Sequence, residues 1–141
     1  MLPREVFLDA SYAIALSSFK DEYHARAEML AEYLAEAGTR LVATRAVLLE
    51  IGNALARQRF RNAAVELLDA LENDPVVKII PLSESLYFQA LQLYRERTDK
   101  EWGLTDCVSL VVMQERGLTA ALTTDAHFQQ AGFRALLLEK W

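Results

Sequence analysis

Four carboxylates in this chain stand in sequence contexts that otherwise belong to a protein core. Asp9 ends the apolar run Val6, Phe7, Leu8, and Asp125 ends the run Ala120 to Thr124. Glu50 and Asp106 lie inside helical patterns that are apolar around them. If these acids converge, the cost is high. Two unit charges ~6 Å apart at an effective dielectric of ~20 repel by roughly 3 kcal/mol. Summed over all pairs of four acids, this rivals the ~5–15 kcal/mol that keeps a whole domain folded. A shared pocket must therefore hold extra protons or hard cations. All-oxygen ligation favours Mg²⁺ or Mn²⁺ over zinc. Two such ions would balance four carboxylates and would suit phosphodiester hydrolysis.

Local roles compete with convergence. Asp9 can cap a helix over residues 11–16, Asp125 can cap one over 126–130, and Asp106 suits a helix N-terminus. Glu50 sits in mid-helix, where capping does not apply. A salt bridge to Arg45 or Arg57 is its competing explanation.

The elements that must position these acids alternate along the chain. Short apolar segments at 5–8, 41–43, 76–80 and 119–123 read as buried strands, and 134–138 as a fifth. Helical patterns cover 23–37, ending at Gly38, then 45–55 behind a Thr44 cap, 62–71, 83–98, 105–116 ending at Gly117, and 126–131. Asn73-Asp74-Pro75 is a turn signal, and residues 99–103 form a polar break. Strands spaced by helices predict an α/β layer structure with a mainly parallel sheet of four to five strands flanked by helices. In such sheets ligands bind beyond the carboxyl ends of the strands. Asp9 and Asp125 fall there, and Glu50 and Asp106 can reach the same edge.

Composition bounds the function. The chain has 141 residues, enough for one domain with one core, and no linker divides it. No apolar stretch is long enough to span a bilayer. The N-terminal segment lacks a signal-peptide layout, so a cytoplasmic protein without membrane contact is expected. Cys107 is the only cysteine, which excludes an intrachain disulfide and a cysteine-rich zinc site. The net charge of −5 argues against a broad nucleic-acid footprint. The stretch from 40 to 61, however, carries Arg40, Arg45, Arg57, Arg59 and Arg61 against Glu50 alone. It reads either as a solvated helix end or as a patch that tracks phosphates.

Four motifs resemble one known family. They are Phe7-Leu8-Asp9-Ala10-Ser11, Leu49-Glu50-Ile51-Gly52-Asn53-Ala54-Leu55, Leu104-Thr105-Asp106-Cys107-Val108-Ser109, and Thr123-Thr124-Asp125-Ala126-His127-Phe128 followed by Gly132-Phe133. In this order, and spanning nearly the whole chain, they resemble the PIN-domain proteins and most of all the VapC-type toxin ribonucleases. The resemblance implies a PIN-like fold over residues 1–141 and cleavage of single-stranded RNA by water activated with Mg²⁺ or Mn²⁺. It also implies a homodimer and a small antitoxin partner. Carried over motif by motif, Asp9, Glu50, Asp106 and Asp125 are the metal-binding, catalytic acids.

Ser11 matches the family's small hydroxyl two places after the first acid, and Thr105 precedes the third acid. Both are candidates to orient the site from outside the metal, with plain capping as the competing role. Asp99, seven residues before Asp106, is a weaker candidate of the same kind, and ending the preceding helix is the more ordinary role. Arg45, Arg57, Arg59 and Arg61 are the candidates for holding RNA. There is one departure from the pattern. Some relatives carry a further acid two residues after the fourth, where this chain has His127, so a complete second metal site does not carry over. A lone histidine such as His127 or His24 reads first as a packing residue. Trp141 and Leu136 to Leu138 read as packing or dimer contacts. A PIN nuclease acting in RNA processing or on DNA, and a degenerate PIN module that only binds, are the alternatives left open.

Overall fold

The computed structural model describes residues 2–140; Trp141 lies outside the described residues. Five parallel strands form one sheet: β1 (Glu5–Leu8), β2 (Arg40–Thr44), β3 (Val77–Ile80), β4 (Ala120–Leu122) and β5 (Arg134–Ala135), in the order β3-β2-β1-β4-β5. β1 lies at the centre, with Phe7 in register with Val42 on one side and Ala121 on the other. Val6, Phe7 and Leu8 are essentially inaccessible. This is why the strand reads as a continuous apolar run and not as an alternating one: helices cover both faces of a parallel sheet.

Seven α-helices surround the sheet among the described residues: α1 (Ala10–Ser17), α2 (His24–Ala37), α3 (Arg45–Ala54), α4 (Gln58–Asn73), α5 (Glu84–Glu96), α6 (Leu104–Glu115) and α7 (Ala126–Gln130). Their ends follow local chemistry. Thr44 Oγ1 accepts the Val47 N–H at 3.1 Å and starts α3, and Ser83 Oγ does the same for Leu86 at 3.1 Å and starts α5. Gly38 closes α2 at φ 65°, a left-handed conformation that glycine reaches without a Cβ clash.

Two boundaries depart from the sequence reading. α4 begins at Gln58, a full turn before the expected Asn62. No capping side chain announces it, and the Phe60 N–H simply bonds the Arg57 carbonyl at 2.9 Å. The expected fifth strand over 134–138 keeps only Arg134 and Ala135. Leu136–Leu138 turn into a 3₁₀ segment that buries Leu136 and Leu137 completely, while Arg134 reaches forward to Glu139 at 2.7 and 2.8 Å.

The topology locates the ligand edge. From β1 the chain builds outward through β2 to β3, then returns to the other flank of β1 for β4 and β5. The crevice at the carboxyl ends of β1 and β4 is thus the point where the winding reverses, and this is where open α/β sheets place their ligands.

Candidate active site

Asp9 follows β1 directly, and its backbone N–H bonds the Leu122 carbonyl of β4 at 3.2 Å, which pins the acid to the crevice. The residue is 6 % exposed. The Ser11 hydroxyl donates to Asp9 Oδ2 at 2.7 Å and the Thr123 hydroxyl donates to the same oxygen at 2.8 Å. With both hydroxyl hydrogens directed at the carboxylate, the 3.2 Å approach of Ser11 Oγ to Thr123 Oγ1 is a contact enforced by the shared acceptor. The two hydroxyl oxygens in turn accept backbone hydrogens: Ser11 Oγ from Thr124 at 3.0 Å and Thr123 Oγ1 from Asp125 at 3.0 Å. One lattice of hydrogen bonds therefore fixes the first acid relative to the loop that carries the fourth.

Asp106 lies in the first turn of α6, where it accepts the Gly103 N–H at 3.0 Å. Asp125 starts α7 and accepts the His127 N–H at 2.8 Å. Capping and convergence are therefore not alternatives here. Asp9, Asp106 and Asp125 each serve a helix N-terminus, and the three helices begin at one cleft. Together with Glu50, they line an open cleft of about 400 Å³ whose wall also includes Ser11, Ile14 and Thr124.

Glu50 reaches this cleft from α3, and its competing explanation fails. Arg45 is paired with Glu72 at 2.6 Å, and no ion pair joins Glu50 to any cation among the described residues. Burial, followed by the charges of Asp9, Asp106 and Asp125, pushes the Glu50 carboxyl up to about 7. The Asp9 carboxyl is also raised, chiefly by burial. The hydrogen bonds from Ser11 and Thr123 pull it down, and Asp106 adds a small upward push. The donor set fits a hard divalent cation: four carboxylates face one cleft, the Glu50 and Asp9 carboxyls are both raised by burial, and no ion pair to a Lys or Arg side chain balances either of them among the described residues. Asp9, Glu50, Asp106 and Asp125 are the residues that would hold it.

The remaining candidates separate. Ser11 is in the cleft. Thr105 lines the adjoining groove with Glu50, Ala46 and Tyr87, and its carbonyl serves its own helix by accepting the Ser109 hydroxyl at 3.2 Å. Asp99 lies outside the cleft in a two-point pair with Arg97, both distances 2.9 Å, which holds its carboxyl down at about 2. Arg57 and Arg59 are exposed, the latter stacked over Phe60 at 4.7 Å, while Arg61 bonds the Ala56 carbonyl. Cys107 is fully buried. His24 has a packing role, with Nδ1 on the Ala15 carbonyl at 2.8 Å. Sequence reasoning missed Thr123 as a site residue. The signal was present, since Thr123-x-Asp125 mirrors Asp9-x-Ser11 as a hydroxyl two places from an acid.

Comparison with known proteins agrees with this geometry. The PIN domain model matches residues 6–134. The chain resembles the crystal structure of Mycobacterium tuberculosis VapC20, a sarcin-ricin loop cleaving toxin, with 27 % identity and a TM-score of 0.81 over 91 % of this chain and 95 % of that one. It shares its fold with VapBC2 from Rickettsia felis, crystallised bound to a DNA fragment from the promoter, at 14 % identity and a TM-score of 0.67 over 93 % of this chain and 96 % of that one. No curated protein sequence matches. With the family model covering most of the chain and the four acids gathered at the carboxyl edge of β1 and β4, the chain belongs to the PIN-domain family, in its VapC-like form.

Proposed function

We propose that this protein is a divalent-metal-dependent endoribonuclease that cuts single-stranded RNA, and that it is the toxin of a VapBC-type toxin–antitoxin pair. The observation that carries the proposal is the convergence of Asp9, Glu50, Asp106 and Asp125 on one open cleft, with Glu50 raised to about 7 and no balancing cation beside it among the described residues. A Mg²⁺ or Mn²⁺ ion held there supplies acidity for an attacking water and charge for the leaving oxygen. The chain's own residues do the rest. Ser11 and Thr123 fix the Asp9 carboxylate, the Gly103 N–H fixes Asp106, and Glu50 keeps a proton near neutrality until the charge of the cleft is balanced. Exposed Arg57, Arg59 and Arg61 around the start of α4, and Arg45 at the start of α3, are the cations proposed to hold the phosphates of a strand entering the cleft.

An antitoxin partner is proposed from the likeness to VapC and VapBC proteins, and a homodimer only from what the motif resemblance to the family implies. Action in the cytoplasm, where the RNA substrate is found, belongs to the same proposal. Among the described residues no helix is long and apolar enough to cross a membrane.

The test is direct. The purified chain should cut single-stranded RNA internally in Mg²⁺ or Mn²⁺, and EDTA should stop it. Because water and not the 2′-hydroxyl attacks, the products should carry 5′-phosphate and 3′-hydroxyl ends. Asp9→Asn should abolish cutting while the fold survives, since Asn caps α1 about as well as Asp. Products with 2′,3′-cyclic phosphate, or full activity in EDTA, would overturn the mechanism.

A further inference from the structure

Against two of the four acids, Asp106 and Asp125, stands a donor of another element. His127 Nδ1 lies 2.9 Å from Asp106 Oδ2 and 3.3 Å from Asp125 Oδ1. One ligand atom each from Asp106, Asp125 and His127 lies within 4.8 Å of the others. The ring is held in place. The His127 N–H is bonded to Asp125, and the neighbouring Phe128 is fully buried with its ring 6.2 Å from Phe7 of the central strand. A packing role describes His24, whose Nδ1 meets a backbone carbonyl. It does not describe His127, whose ring nitrogen is directed at two carboxylates from different helices and whose side chain stays 29 % exposed at the cleft.

We propose that His127 is a nitrogen ligand of this centre, sharing a divalent cation with Asp106 and Asp125, and that it tilts the site from Mg²⁺ toward transition-metal ions. The inference rests on the metal-site reading above and deepens it. Mg²⁺ keeps to oxygen ligands, whereas imidazole strengthens the binding of first-row metals in the order Mn²⁺ to Ni²⁺. The opposing possibility is an imidazolium that merely neutralises the acids and must be displaced by any incoming metal. The two differ in sign: losing a ligand weakens metal binding, and losing a competitor strengthens it.

The experiment titrates the full chain at one fixed pH with Ni²⁺, Mn²⁺ and Mg²⁺ by calorimetry, in the natural sequence, His127→Ala and His127→Asp. His127→Ala should lower Ni²⁺ affinity about tenfold or more, at least the loss seen when a mere supporting partner of a ligand is removed. Mg²⁺ affinity should change much less. His127→Asp, which restores an oxygen donor, should bind Mg²⁺ well without regaining the Ni²⁺ preference. Pulsed electron paramagnetic resonance of the Mn²⁺-loaded chain gives a readout independent of activity. Histidine nitrogen modulation should be present in the natural sequence and absent from both variants. The assignment is clean because the chain has only two histidines and His24 is engaged on α1 and α2. Absence of nitrogen modulation, or Ni²⁺ affinity that is unchanged or raised in His127→Ala, would overturn the role of His127 while leaving a metal site intact. Failure of all three ions to bind would instead overturn the metal-site reading itself.

Discussion

Replacing Glu50 by Gln should stabilise the metal-free protein, and the structure gives both sign and size. In the folded chain the Glu50 carboxyl is raised from 4.5 to about 7. Below about pH 4.5 it is protonated in both folded and unfolded states and adds no pH dependence. Between 4.5 and 7 the unfolded chain releases this proton while the folded chain keeps it, so stability falls as pH rises, and the full penalty stands above 7. At about 1.36 kcal/mol per pKa unit the shift sets an upper bound of about 3 kcal/mol. Glu50 is only half-buried, so solvent screening reduces this to roughly 1–2 kcal/mol.

In EDTA at about pH 8, Glu50→Gln should therefore melt higher by roughly 3–6 °C. Its loss of stability between pH 4.5 and 7 should be shallower than that of the natural chain. Some slope should survive, because the Asp9 carboxyl is raised as well and acts in the same direction. The assay is urea unfolding or calorimetry in EDTA across about pH 5–8. Equal slopes in the two proteins, or a Glu50→Gln variant less stable at the alkaline end, would refute the claim that uncompensated charge in the cleft strains the fold.

Other outcomes follow from the same geometry. Millimolar Mg²⁺ or Mn²⁺ should stabilise the natural chain by mass action, by about 2.7 kcal/mol at a hundredfold excess over Kd, and so raise its melting temperature, and Asp106→Asn should forfeit most of that gain; thermal scans with and without metal decide it. Arg57→Ala with Arg59→Ala should flatten the salt dependence of RNA binding by about 0.7 log units of slope for each phosphate no longer held, with little change in melting, and an unaltered slope would make these residues a solvated face. Thr123→Val should destabilise the protein by about 1–3 kcal/mol by stripping a buried hydrogen bond and should slow cleavage, while Thr123→Ser should retain both; unfolding curves alongside cleavage rates check this.

The fold was legible where burial leaves a simple mark. β1 reads as a strand because both of its faces are covered, and α3 and α5 announce themselves through Thr44 and Ser83. α4 starts earlier than expected because its first turn, Gln58-Arg59-Phe60-Arg61, is made of ordinary helix formers with no cap to mark the boundary. Three successive leucines after Ala135 look like strand, yet the chain turns there to sink Leu136 and Leu137 into the core, a tertiary demand that no local pattern encodes. At the site, the four acids stand out because charges are costly in apolar company. Thr123 does not, since a hydroxyl is cheap almost anywhere and its value depends on Asp9, 114 residues earlier. His127 is ambiguous for a similar reason: its meaning lies in Asp106, which belongs to another helix.

The distance along the chain between Asp9 and Thr123 also sets the order in which the cleft comes into being. During synthesis β1 emerges early, but its partner β4 and the loop bearing Asp125 come much later, with Thr123 a full 114 residues behind Asp9. Until then Asp9 has neither its Thr123 donor nor a complete set of acidic neighbours. A growing or prematurely ended chain lacking β4 cannot assemble the centre, because pairings of such long sequence separation form only when both ends are present. The wiring of the sheet thus withholds the four-acid cleft from the nascent chain until β4 and α7 have both been made.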